Sequence, residues 1–113
     1  MEATKSTLEK LKNEGNDVNV RDAEGRSGLW LAASEGHLSV LEFLVSEEAN
    51  IDATSNERET ALMIASFKGH MSVCEYLISQ NCDATIQCEL GTALDAAKAG
   101  KKEEIVALLR SLQ

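Results

Sequence analysis

Residues 60–77, TALMIASFKGHMSVCEYL, decide how this chain folds. The apolar side chains Leu62, Ile64, Ala65, Val73 and Leu77, with Ile78 just beyond, fall on two helical faces split by Gly69-His70. Two short helices joined by a tight turn cannot bury both faces alone, so like units must stack on either side. The same pattern recurs upstream as SGLWLAASEGHLSVLEFL (27–44) and downstream as TALDAAKAGKKEEIVALL (92–109). Aligning 22–54 with 55–87 without gaps gives ten identities, among them Glu24/Glu57, Leu29/Leu62, Ala32/Ala65, Gly36/Gly69, His37/His70, Val40/Val73 and Leu44/Leu77. The chain is built from repeats.

At 113 residues it is long enough for one domain with its own core. Aromatic residues make up only 4% of it, which suits thin helices packed side by side better than a sandwich with aromatic plugs. No run of 18 apolar residues occurs, and MEATKSTLEKLK at the start has no apolar segment of signal-peptide type. A soluble intracellular protein, cytoplasmic or also nuclear, is expected. Cys74, Cys82 and Cys88 have neither CxxC spacing nor paired His ligands, so no metal site is expected, and free thiols are. Cys74 falls at an inward helical position and reads as a small buried hydrophobe.

The net charge of −8 is uneven. Residues 22–54 hold seven acids against Arg26 alone, and 55–87 hold four acids against two bases, whereas 1–21 and 88–113 are each balanced. Such a field opposes nucleic acid and anionic membrane and favours a basic protein partner. Acidity also serves solubility alone, and composition does not separate the two.

Taken in order, residues 3–14 place Leu8 and Leu11 on one helical face, with Gly15 to end the helix. This matches only the second helix of a repeat, so 1–21 reads as a half repeat acting as a cap. The single domain, 1–113, then divides into repeats at 22–54 and 55–87 and a capping repeat at 88–113. A tight turn at Gly25 precedes Ser27, the N-cap of a helix whose inward residues are Leu29, Leu31 and Ala32. Gly36 breaks that helix, and Leu38 to Val45 form the next. Repeat two has Thr60 as N-cap and Arg58 where Gly25 stood. Repeat three is one residue shorter in its turn, Cys88-Glu89-Leu90-Gly91, before Thr92. Its second helix carries Ile105, Val106, Leu108, Leu109 and Leu112, with Lys101, Lys102, Glu103, Glu104, Arg110 and Gln113 as polar cover. A solenoid needs such cover at its end, and the carboxyl end is expected to be complete.

This unit resembles the ankyrin repeat. The matches are Gly25, Ser27, Leu29, Ala32, Ala33, Gly36, His37, Val40 and Leu44 in the first full repeat. In the second they are Thr60, Leu62, Ala65, Gly69, His70, Val73, Leu77 and Asp83, and in the third Thr92, Leu94, Ala97, Ile105, Val106, Leu108 and Leu109. Asn16-Asp17-Val18-Asn19 supplies the linker from the cap. The resemblance covers residues 5–113 and implies an all-α solenoid of stacked antiparallel helix pairs joined by hairpin-like loops.

Departures from the family pattern carry expectations of their own. The proline at the first helical position is replaced by Gly28, Ala61 and Ala93, which gives up a pre-set φ. The following histidine is Trp30, Met63 and Asp95, so its usual bond with the capping hydroxyl is not assured. Glu48 occupies a glycine position after the second helix, which implies strain or a shifted turn. Lys101 replaces the inter-helix glycine, with Gly100 expected to take its role. A scaffold less stable than a consensus array follows.

Catalysis needs a base, nucleophile or metal held in a pocket. His37 and His70 occupy equivalent repeat positions, which the resemblance assigns to fixing the inter-helix turn. No phosphate loop, Ser-His-Asp set or metal-spaced cluster is present in the sequence. No catalytic residue, cofactor or metal is expected, and the chain is not read as an enzyme.

The resemblance implies protein binding through hairpin tips and first-helix edges, by a chain expected to be monomeric. Carried over by position, the tips are Ala23, Glu24 and Arg26, then Asn56, Glu57 and Glu59, then Glu89 and Leu90; the first-helix positions are Ser34 and Glu35, Phe67 and Lys68, and Ala99. Phe67 reads either as an interface anchor or as cover folded onto Met63. The first reading makes a groove with Phe67 central and Glu24, Glu35, Glu57 and Glu59 around it, taking an apolar side chain beside Lys or Arg. Trp30 is expected to pack between repeats. Two alternatives stand beside a general interaction module: a targeting or regulatory segment of a larger enzyme or channel, and a small inhibitor of a partner protein. Asn19 stands where some family members carry a hydroxylated asparagine.

Overall fold

The computed structural model describes residues 21–112. The expectations for the helix over 3–14, for Gly15, for the linker 16–19 with Asn19, and for Gln113 lie outside the described residues. Among the described residues, six helices form three antiparallel pairs: α1 (Gly28–Glu35) with α2 (Leu38–Ser46), α3 (Ala61–Lys68) with α4 (Met71–Ser79), and α5 (Ala93–Ala99) with α6 (Glu103–Arg110). Among the described residues there is no strand, only isolated bridges at Arg21–Ser27 and Cys88–Gly91. The pairs stack side by side, first helix on first helix and second helix on second.

Each first helix starts at a residue in extended conformation. The Ser27 hydroxyl accepts from the Trp30 N–H at 3.2 Å, and the Thr60 hydroxyl from Met63 N–H at 3.2 Å. Where the family histidine is missing, its replacements serve the cap from the other side. The Asp95 carboxylate accepts from the Thr92 N–H at 3.0 Å, and the Met63 sulfur from the Thr60 N–H at 3.4 Å. These are reciprocal caps, in which residue N3 reaches back to the first orphan donor.

The ends of α1, α2, α4 and α5 share one pattern. Paired bonds from the two residues beyond the helix return to its last turn: Gly36 N–H to Ala33 and His37 N–H to Ala32, and likewise Glu48 to Val45 and Ala49 to Leu44. Asn81 with Cys82, and Lys101 with Lys102, repeat the pattern at α4 and α5. The geometry demands a left-handed residue at the turning point. Glycine supplies it at Gly36 (φ 73°) and Gly69 (φ 86°), but Glu48 (φ 67°), Asn81 (φ 60°) and Lys101 (φ 59°) are forced into it. The strain expected at Glu48 is therefore present.

Gly100 does not take the turn's role as expected. It is right-handed, and Lys101 makes the left-handed turn. Gly100 is glycine for a different reason: a Cβ there would lie 2.2 Å from the Phe67 carbonyl oxygen.

The core runs through the stack in layers of equivalent residues. Ala32, Ala65 and Ala97 are fully buried, and their small size lets the first helices pack closely on one another. Leu44, Leu77 and Leu109 form the matching layer on the second helices, with Val40, Val73 and Ile105 beside them. Ala33 and Ser66 fill equivalent buried positions, while Lys98, next in that series, is exposed. The buried Ser66 hydroxyl lies 3.6 Å from the Cys74 sulfur, so neither polar group is stranded. Trp30 is buried, in keeping with packing between repeats, whereas Leu31 is only half-buried. Leu112 departs from expectation: α6 ends at Arg110, and the Leu112 side chain is 46% exposed.

Candidate protein-binding surface

Three hairpins project from one side of the stack, each closed by its own chemistry. In the first, Asp22 accepts from the backbone N–H groups of Glu24 (3.0 Å) and Arg26 (2.9 Å) and from Arg26 Nε (2.9 Å). The backbone N–H of Arg26, ahead of the other contacts, holds the Asp22 carboxyl below the usual carboxylate range. Arg26 also reaches Glu24 at 3.2 Å, and its guanidinium sits 5.6 Å above the Trp30 ring. In the second hairpin the Ser55 hydroxyl takes the place of Asp22 without its charge, accepting from the N–H groups of Glu57 and Glu59. Arg58 turns that tip in the left-handed region that Gly25 occupies in the first. The third is the short turn expected, Cys88 and Gly91 exchanging both backbone bonds at 2.9 and 3.0 Å.

The first two tips are latched. Asn56 donates its backbone N–H to the Glu24 carbonyl (2.9 Å) and its side-chain amide to the Ala23 carbonyl (3.2 Å). Gly25 makes room for it, since a Cβ there would lie 2.3 Å from Asn56 Oδ1. Glu89, the counterpart of Asn56, makes no such bond to the second tip among the described residues. Between tips two and three lies instead a groove of about 630 Å³, lined by Asn56, Glu57, Arg58, Glu59, Cys88, Glu89 and Leu90.

The expected surface residues are thus distributed unevenly. Asn56, Glu57, Glu59, Glu89 and Leu90 come together in the groove, and Leu90 is 80% exposed. Phe67, 48% exposed, and Lys68 lie at the end of α3 and do not line it. Met63, onto which Phe67 would fold in the second of its two readings, is itself buried. Glu24 is engaged by Arg26, and Glu35 lies 2.9 Å from His37 Nε2. Ala23 and Ala99 are exposed, while Ser34 is half-buried with its carbonyl accepting from His70. Of the carboxylates, Glu57, Glu59 and Glu89 line the groove between hairpins, while Glu24 and Glu35 do not.

At the opposite ends of the helices the repeats are joined through their turns. The His70 ring fills the space beside Gly36, and the Lys102 side chain does the same beside Gly69. Lys102 stands at the histidine position of the third repeat, a substitution readable from register alone. The Asn56 latch had no comparable signal, because nothing in its type distinguishes it from other tip residues.

All three thiols are free. Burial raises the Cys74 thiol, and burial together with the nearby Asp52 carboxylate pushes Cys82 up to about 11. Among the described residues no group of three His, Cys, Asp or Glu side chains is placed to hold a metal, and no helix is long and apolar enough to cross a membrane.

A family model described as ankyrin repeats (3 copies) matches residues 1–88 and 48–112. The chain belongs to the ankyrin-repeat family. Ankyrin repeats are in general protein–protein interaction modules and typically non-enzymatic. No match was found among the curated proteins. Within an ankyrin frame, the latched first tips and the open groove at the third are features of this chain's own residues.

Proposed function

We propose that this ankyrin array is a monomeric, non-enzymatic module that binds a basic protein segment in the groove between its second and third hairpins. The groove itself carries the reading: Glu57, Glu59 and Glu89 outnumber Arg58, and the nearly bare Leu90 side chain stands among them. Carboxylates at such a rim raise association rate and reject acidic partners, while binding energy comes from apolar contact. Phe67 extends the surface along α3 as a second apolar contact. Free thiols, two of them raised above their ordinary range, fit a reducing compartment such as the cytoplasm.

The test is a pull-down comparing wild type with Leu90→Ser, Phe67→Ala and a Glu57→Gln/Glu59→Gln/Glu89→Gln variant. A partner lost with Leu90→Ser and with the glutamine variant supports the groove. For Phe67→Ala a loss of about 2 kcal/mol in affinity marks an anchor. A partner retained by all three variants overturns the reading.

A further inference from the structure

The outer face of the second helices carries a feature that hairpin binding leaves unused. Phe43, Tyr76 and Leu108 occupy equivalent positions on α2, α4 and α6, and these helices lie side by side. Phe43 is 40% exposed, while Tyr76 and Leu108 are half-buried, each resting one side on the core. Ser46, Ser79 and Ser111 each turn their hydroxyl back to the carbonyl of Phe43, Tyr76 or Leu108, at 2.6 Å in every case. The edge of the row is thereby kept low in free polar groups in all three repeats.

The charges beside this row have one sign over two repeats. Residues 38–46 contain Glu42 and no Lys or Arg, and residues 71–79 contain Glu75 and no Lys or Arg. Glu42 and Glu75 are exposed at equivalent positions next to Phe43 and Tyr76, and Glu104 is exposed one turn before Leu108. A solvated helix face ordinarily mixes both signs.

We infer that the outer face of the second helices, centred on Phe43, Tyr76 and Leu108, is a docking surface for a basic amphipathic helix of a partner protein. Packed helices lie about 8–10 Å apart, and residues seven apart on a helix are separated by about 10.5 Å. Apolar side chains at i, i+7 and i+14 would therefore meet the three repeats in turn, with Lys or Arg between them opposite Glu42, Glu75 and Glu104. This surface is separate from the hairpin groove, so either can exist without the other.

The probe is a synthetic Leu/Lys amphipathic helix of about 18 residues, long enough at about 27 Å to cross three repeats. It is titrated into 15N-labelled wild-type chain, with a Leu/Glu peptide of the same pattern as control. Expected are amide shifts clustered on α2, α4 and α6, no response to the Leu/Glu peptide, and binding about ten-fold weaker in Phe43→Ser/Tyr76→Ser. Phe43→Leu/Tyr76→Phe keeps the apolar area and retains binding, which separates loss of the surface from loss of folding. Glu57→Gln/Glu89→Gln leaves this binding unchanged, whereas shifts confined to the hairpins and lost in that variant overturn the inference while favouring the groove. It is equally overturned by no response to the Leu/Lys peptide, by equal response to Leu/Glu, or by concentration-dependent dimers abolished in Phe43→Ser/Tyr76→Ser, which would make a second copy the occupant.

Discussion

His70 of the second repeat donates through Nε2 to the carbonyl of Ser34 in the first, at 3.0 Å. The bond crosses the repeat boundary, and the same ring fills the space beside Gly36, where a Cβ would lie 2.6 Å from Nδ1. One side chain thus ties its own inter-helix turn to the turn of its neighbour. His70→Ala is expected to cost about 1–2 kcal/mol, through one hydrogen bond and a ring's worth of packing. Gly36→Ala should cost more, since it combines a clash with a positive φ. Urea unfolding of the two variants checks both the sizes and their order.

Glu48→Gly and Lys101→Gly should each stabilise the chain by about 0.5–1 kcal/mol. Both residues sit in the left-handed region without the glycine that removes the steric cost. Both are exposed, so no packing is lost in the exchange. A drop in the denaturation midpoint of either variant would show that the side chain contributes more than its backbone conformation costs.

Gly100→Ala tests a different cause. Its backbone is right-handed, so alanine is conformationally acceptable, yet the new Cβ would meet the Phe67 carbonyl. The expected cost is about 1–3 kcal/mol from overpacking. A neutral result would mean that α3 and α5 separate at their ends without penalty.

Asp22 and Asp83 give the folded chain an acid limit. Both carboxyls lie below the usual range, Asp22 chiefly through the Arg26 backbone N–H and Asp83 chiefly through the Thr85 hydroxyl. A carboxyl lowered by folding contributes stability above its ordinary pKa, and that contribution fades as pH falls through the lower folded value. Denaturation midpoints should therefore decline below about pH 4, the ordinary carboxylate range, and less steeply in Asp22→Asn. An identical acid limb in wild type and variant would remove Asp22 from the account.

Cys82 sets a limit at the alkaline side. Its thiol is raised from 9.0 to about 11, foremost by burial. The stability linked to the protonated thiol is complete below pH 9 and is lost as pH climbs towards 11. Alkylation of the folded chain followed by peptide mass spectrometry should find Cys82 slow at pH 8 and faster towards pH 11. Rapid modification at pH 8 would contradict a protonated, sheltered sulfur.

Much of the architecture was legible because a repeat states its own register. Equivalent Leu, Ala and Val positions disclose which faces meet, and Glu48 at a glycine position announced a strained turn. Lys101 and Gly100 show where that reading fails. Glycine was sought as the turning residue, but a Cβ can be excluded by a neighbouring carbonyl as well as by φ, and sequence does not separate the two causes. The groove was hidden for a related reason. Its tip residues could be named by position, but the gap between them depends on a hairpin one residue shorter and on the bond that Glu89 does not make.

That missing bond has a mechanical consequence. Repeats one and two are fastened at both ends, by Asn56 at the tips and His70 at the turns. Repeats two and three meet through their helices and through Lys102 beside Gly69, but their tips are unfastened among the described residues. The first joint is thus held by hydrogen bonds at both its tips and its turns, whereas the second relies on helix packing, in which Gly100 closes on the Phe67 carbonyl, and leaves its tips apart.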